Sequence, residues 1–358
     1  MLHDIAAALP WSRQLSQLKA TTKQLQTYLR QDQAAYVLRG SLFGAPHLQL
    51  DVYFEGPSHM LADVERLLFS ECLMRKNLID TGYSAAQIAL MKRSCDISFR
   101  CTKPWGRLQP GSFPFKFWLN AKMRPRPVEE LKLSKDFRRA LQRAQNSQFQ
   151  IQKTKDFSTW QWWLENLVIP TAKLRHGTHM ALPDIEEMRG LAEDGELILI
   201  SHNDEIVAGA LVYMGRLNRN LFVWRVGMSE KGRQDTKLYK SLNVYLDFLA
   251  YQQAIHKGAE WFNLGPTLAR VDSGLYRYKT SWGCGFYDDP CSLLFEMNLA
   301  TAKRTEILQH VPLISLDKDQ TVFHFNETKN TSAVTSIPNL KAIYYHNGIS
   351  LRQELLDV

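Results

Sequence analysis

Near the start of the chain leucines recur at helical spacing. In WSRQLSQLKATTKQLQTYLRQ, Leu15, Leu18, Leu25 and Leu29 are separated by lysine, arginine and glutamine, which predicts an amphipathic helix. AAYVLRGSLFG and HLQLDVYFEG then predict two strands joined around Gly44 and Pro46. HMLADVERLLFSECLMR reads as one long amphipathic helix and CDISFRC as a short strand. KPWGRLQPGSFPFKF, rich in proline and glycine, reads as loop or linker, and a boundary falls between Met123 and Pro127.

Past that boundary the pattern is more rhythmic. LSKDFRRALQRAQNS predicts a helix capped by Ser134, and FQIQKTK a strand. Two helices follow in TWQWWLENLVIPTAKLRHG and LPDIEEMRGLAED, the second stopped at Gly195. The stretch from Glu196 to Met228 predicts three strands, with turns at Asn203-Asp204 and around Arg216 to Asn220. LYKSLNVYLDFLAYQQAIHKG is a long helix with Leu238, Leu242, Tyr245, Leu246 and Leu249 on its apolar face and Gly258 as its stop. A strand at WFNLG, a short helix at GLYRYKTSWG and a strand at CSLLFEMNL come next, then weaker strands at FHFNET and AIYYHNG. The order implies a mixed α/β fold with a hairpin-rich half and one long crossover helix. We divide the chain into residues 1–125, an α/β domain, residues 126–300, a second α/β domain, and residues 301–358, an extension packing on the core.

Composition narrows the class. The chain has 358 residues, of which 45% are hydrophobic and 11% aromatic, ample for a sizeable core. No apolar run reaches membrane-spanning length, so no integral membrane association is expected. The first basic residue follows the short apolar N-terminal stretch, the reverse of a secretory signal, and the expected location is cytoplasmic. Five cysteines without a CxxC pair, and ten histidines without ligand spacing, predict no metal site. The formal charge of +8 points to an anionic partner: transfer RNA, coenzyme A, an acidic carrier protein or an anionic membrane face.

Three segments carry a resemblance to a known family. LSKDFRRALQRA is similar to the basic opening helix of Fem-type aminoacyltransferases and BioF2-like acyltransferases. AIHKGAEWFNLGPT looks like their helix–strand element ending in FDLG, with Asn263 where Asp is frequent. GLYRYKTSWG resembles their closing GLxxFKxxWG motif, with Tyr278 where Phe is usual. In this order, over about half the chain, they resemble the Fem/BioF2-like branch of the GNAT superfamily. That resemblance implies a GNAT fold, a mixed central sheet splayed between its fourth and fifth strands with the donor in the gap. Fem relatives carry two such domains, so the N-terminal domain can be read as a degenerate GNAT-like copy. The implied activity is acyl transfer without a permanently bound cofactor. Acyl-CoA or another acyl thioester would serve as co-substrate, and a small-molecule amine as acceptor. An acyl-carrier protein or aminoacyl-tRNA is the alternative donor. The pyrophosphate motif of CoA-using GNAT enzymes is missing from GMSEKGRQDTKLYKS, and no long helical hairpin of the kind associated with tRNA use is inserted. A GNAT-like module that binds without catalysing, and a nucleic-acid binder, are readings of other classes. Oligomeric state is not legible.

Acyl transfer to an amine needs a carbonyl held beside the nucleophile and donors for the developing oxyanion. Phe222 to Val226, read as the splayed strand, offers backbone N–H groups, which places Trp224, Arg225 and Val226 at the substrate. By two-residue alternation Arg225 shares a face with Leu221 and Val223, so its guanidinium either enters a pocket or finds a salt bridge. By resemblance Lys279 meets negative charge on the donor, with Tyr278 and Asn263 beside it; the bland reading is a solvated helix lysine. Tyr239 matches the tyrosine that protonates a leaving thiolate, or packs in the core. Asp272 is either a base or a helix cap, and His176 either a base or a dipole-complementing helix end. Lys135, Arg139 and Arg143 share one helix face at four-residue spacing and, with Arg233, are candidates for donor phosphates; a solvated face is the other reading. No serine elbow, P-loop or dinucleotide fingerprint is present, so direct attack on the donor is the expected mechanism.

Overall fold

The computed structural model describes residues 33–102, 112–131, 133–176, 185–215, 219–287, 293–311, 313–317, 320–326, 340–347 and 350–355. The leucine-patterned helix expected near the N-terminus lies outside them. The chain divides into two compact units, one of Met1–Leu119, Thr267–Arg277 and Phe286–Val358, the other of Asn120–Pro266 and Tyr278–Gly285.

The first unit is built on a six-stranded sheet in the order β3-β1-β2-β4-β13-β5. β1 (Gln33–Leu42) and β2 (Ala45–Pro57) form the expected antiparallel hairpin, turning at Gly44 with φ +78°. The long helix expected next is a correction. α1 covers only Leu61–Leu68, and Phe69–Asn77 is β3, antiparallel to β1. Leu61, Val64, Leu67 and Leu68 bury at helical spacing, whereas Cys72 and Met74 turn inward at two-residue spacing. Pairing to β1 satisfies the β3 backbone and overrides local helix propensity. α2 (Ala85–Ser94) begins at Ser84, whose side chain and that of Gln87 form a reciprocal capping box.

β4 (Ile97–Cys101) runs parallel to β2. The proline-rich stretch read as loop includes β5 (Phe113–Phe115), which pairs with β13 (Phe295–Leu299). Phe54, Phe99, Phe115, Phe117 and Phe295 meet with ring centroids 5.0–5.7 Å apart, giving the sheet an aromatic core. α10 (Thr301–His310) and a four-stranded sheet, β14 (Leu313–Asp317), β15 (Gln320–Asn326), β16 (Leu340–Asn347) and β17 (Ser350–Leu355), complete the unit.

The second unit carries a seven-stranded mixed sheet in the order β12-β6-β11-β10-β9-β8-β7. Its strands are β6 (Trp118–Met123), β7 (Gln150–Thr154), β8 (Gly195–His202), β9 (Glu205–Met214), β10 (Asn220–Met228), β11 (Trp261–Leu268) and β12 (Gly285–Tyr287). β7 to β10 are an antiparallel meander, as the alternation predicts. The β8–β9 turn sits on Asn203 and Asp204, both at positive φ, a pair suited to a tight hairpin. α3 (Lys135–Asn146) starts where Ser134 accepts from the Phe137 N–H, as its sequence predicts.

The tryptophan-rich helix is α4 (Phe157–Trp163), a widened π turn (Leu164–Val168) and α5 (Ile169–His176). The widening falls where Pro170 withholds a backbone N–H from the turn before it. Trp160 and Trp163 are buried with Leu197, Leu199 and Leu211 against the sheet, and truncating either would cost about 3–5 kcal/mol; Trp162 faces outward. α6 (Ile185–Arg189) and α7 (Glu230–Gln234) are short. α8 (Thr236–His256) is the long crossover helix and stops before Gly258. It buries more than the expected stripe, since Val244, Phe248 and Tyr251 are also interior. α9 (Gly274–Ser281) follows β11.

Candidate active site

The site begins with a divergence in the second sheet. β10 and β11 run parallel and pair only at Asn220 with Trp261, Leu221 with Phe262, and Phe222 with Asn263. Beyond Phe222, β10 keeps its pairing to β9 but has no register with β11, its neighbour on the other side. The two strands therefore bound a wedge, with β10 residues after Phe222 on one wall and Leu264 to Pro266 on the other. At its apex a Cβ added to Gly265 would meet the Val223 carbonyl at 4.0 Å, and Gly265 has φ +78°, a conformation costly for any other residue.

β10 carries a bulge inside the wedge. Val223 pairs with Val212 and Arg225 with Leu211, leaving Trp224 as the extra residue. Such a bulge breaks the two-residue alternation. Trp224 is buried among the core tryptophans, and its Nε1 donates to Glu187 Oε1 at 3.0 Å. Arg225 is exposed; its guanidinium lies over the Trp224 ring and donates to the Trp224 carbonyl. The face shared by Arg225, Leu221 and Val223 in a regular strand is thus not formed, and Val226 is half-buried.

The β11 wall is held from behind. Lys279, on α9, is 3% exposed, and its ammonium donates to the carbonyls of Gly265 at 2.7 Å and Pro266 at 2.6 Å. Burial lowers its pKa to about 7, the nearby Cys284 and Asp247 only partly opposing the shift. Asn263 is buried and its Oδ1 accepts from the Gly265 N–H at 2.7 Å. The Tyr278 hydroxyl donates to the carboxylate of Asp247 in the middle of α8, and burial followed by that carboxylate pushes its pKa well above the ordinary tyrosine value. Phe137 of α3 touches both Tyr278 and Trp282, so the basic opening helix packs directly on the closing motif.

The N-terminus of α8 is already occupied. The Asp235 carboxylate accepts from the Lys237 N–H at 2.8 Å and the Leu238 N–H at 3.0 Å, and these backbone bonds hold its pKa below the usual carboxylate range. A pyrophosphate seated on those amides would have to displace a carboxylate. Tyr239 lies one turn into the helix and is half-buried. Arg233 donates to the Met228 carbonyl and to Thr171 Oγ1, bracing the end of β10.

Lys135, Arg139 and Arg143 are exposed on α3, and Arg143 Nε donates to Ser241 Oγ of α8. Asp272 belongs to the first unit, where it pairs with the buried Arg270 at 2.8 Å and its carbonyl accepts from Arg277. His176 closes α5, and its side chain is outside the description. Asp235 and Asp247 were absent from the residues singled out by sequence. Asp235 carried a readable signal, an aspartate directly before a helical run; Asp247 carried only its place as a carboxylate in an apolar helix.

No family model matches the chain, and no curated protein does. Solved structures overlap it loosely. The C-terminal DUF2156 domain of a putative lysylphosphatidylglycerol synthetase from Agrobacterium fabrum aligns at 12% identity and TM-score 0.35, over 78% of this chain and 92% of that one. FemX aligns at 13% and 0.41, over 74% and 84%. A GCN5-related N-acetyltransferase-like protein from Streptococcus suis 89/1591 aligns at 11% and 0.29, over 77% and 92%. The fold assignment rests on the strands themselves: an antiparallel meander, a long crossover helix, and a parallel fifth strand splaying from a bulged fourth give the second unit the GNAT fold.

Proposed function

We propose that the protein is an acyltransferase that moves an acyl group from a thioester donor onto an amine by direct attack. The observation that carries this reading is the divergence of β10 and β11 past Phe222, which leaves β10 backbone unpaired toward the gap. A carbonyl oxygen entering the wedge finds preorganised N–H groups rather than water, the arrangement that stabilises a developing oxyanion. The neutral amine attacks the carbonyl carbon, the C–N bond forms and the nitrogen sheds its extra proton to solvent, while the C–S bond breaks and the sulfur leaves as a thiolate that takes a proton. Tyr239, one turn into α8, is the proposed proton donor. Lys279 and Asn263 act as positioning residues that fix the β11 wall through Gly265.

The Asp235 cap favours a donor whose recognition does not depend on pyrophosphate at the α8 N-terminus. A pantetheine thioester on a carrier protein meets that condition. Aminoacyl-tRNA meets it too and is the second reading. The test is turnover of an acetylated carrier protein, S-acetyl-pantetheine, acetyl-CoA and bulk aminoacyl-tRNA against a panel of amines, followed as release of thiol or of uncharged tRNA. Thiol release that survives RNase supports the thioester reading. Release confined to charged tRNA replaces it with the second, and silence from every donor overturns both.

A further inference from the structure

The solvent face of α3 is dense in cations. Lys135, Arg138, Arg139 and Arg143 are exposed there, and on the neighbouring turns of α8 Lys237 and Lys240 are exposed as well. The Arg143–Ser241 hydrogen bond brings the two groups together, because Ser241 itself donates to the Lys237 carbonyl. Asp136 is the one carboxylate among the exposed residues of α3. The opposite stripe of α3, Phe137, Ala140, Leu141 and Ala144, is buried, so the cations are held on an anchored helix rather than on a loose segment.

The spread of this charge suits a broad anionic partner. Twelve residues of helix extend about 18 Å, far beyond the reach of one phosphate group. Exposed positions on α3 are lysine, arginine, aspartate, glutamine and asparagine, with no aromatic side chain to stack on a base. The amides at the α8 N-terminus are taken by Asp235, so a small nucleotide donor loses its usual seat. We infer that the α3–α8 face docks the acidic surface of a carrier protein that delivers the acyl thioester to the wedge. This inference rests on the thioester reading above. Complementary charge over such a face accelerates encounter and weakens as salt screens it.

The experiment uses the full chain and a dye-labelled bacterial acyl carrier protein in its acetyl form, with binding read by fluorescence anisotropy. The expected result is binding that weakens about tenfold or more between about 50 and 300 mM salt. The paired substitution Arg138→Glu and Arg139→Glu should weaken it about tenfold or more at low salt, with an unchanged melting midpoint. Carrier binding indifferent to that substitution overturns the inference. So does bulk tRNA binding that outcompetes the carrier and is lost in the same variant, which makes the face a nucleic-acid surface. Turnover of S-acetyl-pantetheine by the unaltered protein without carrier binding overturns this surface and leaves the thioester reading standing. Carrier binding without any turnover does the reverse.

Discussion

The ammonium of Lys279 donates to the carbonyl of Gly265, the residue that turns the β11 wall of the wedge. A second bond to Pro266 makes the lysine a buried clamp rather than a surface cation. Lys279→Met keeps most of the volume and removes both donors. The expected loss is about 2–4 kcal/mol of stability, since two carbonyls lose their partner. Chemical denaturation checks it, and a loss under about 0.5 kcal/mol would show that the clamp is not needed for the fold.

The same lysine predicts a pH dependence. Its folded pKa, about 7, lies below the ordinary 10.5 that it regains on unfolding. Between those values the unfolded chain binds the extra proton, so stability rises with pH across the window and is lost as pH falls toward 7. Melting midpoints of the unaltered protein should climb from pH 7 to 9 relative to those of Lys279→Met. Parallel curves would mean that the lysine titrates alike in both states.

Tyr278 stands where the motif that its segment resembles has phenylalanine, and the extra hydroxyl meets Asp247. Tyr278→Phe withdraws a donor from the buried Asp247 carboxylate and should cost about 1–3 kcal/mol. Combined with Asp247→Leu, the loss should fall short of the sum of the single substitutions. Strict additivity in that cycle would rule out coupling between the two groups.

Asp235→Ser keeps a competent helix cap while removing the negative charge from the α8 amides. The melting midpoint should hold at neutral pH, and the affinity for coenzyme A, measured by calorimetry, should rise several-fold. An unchanged affinity would show that something other than the carboxylate closes that site to pyrophosphate.

Gly227 packs against the π turn, where an added Cβ would lie 2.7 Å from the Leu167 carbonyl carbon and the Val168 nitrogen. Gly227→Ala forces backbone apart and should cost about 1–3 kcal/mol, read as a lowered denaturation midpoint. A neutral outcome would mean that β10 shifts freely against the turn.

What the sequence disclosed was set by local rules. Ser134 announces α3, Asn203-Asp204 the β8–β9 turn and Gly258 the end of α8, because each acts through its immediate neighbours. The divergence of β10 from β11 was accessible only through the resemblance, since strand separation leaves no periodic trace. The Trp224 bulge was invisible, and it undid the expected facing of Arg225. β3 leaves no local signal because its edge pairing to β1 joins residues about thirty positions apart or more. Lys279 was found by motif, but its burial depends on contacts with β11 that no spacing encodes.

The first sheet seats β13 between β4 and β5, so residues near Ile97 and Phe113 find their shared neighbour only at Phe295. During synthesis the ribosome therefore releases β4 and β5 long before the strand that joins them exists. That sheet closes late, through a pairing of high sequence separation, which slows folding and leaves strand edges waiting. The β8–β9 and β9–β10 hairpins of the second unit, whose strands follow one another closely in the chain, are free to form first.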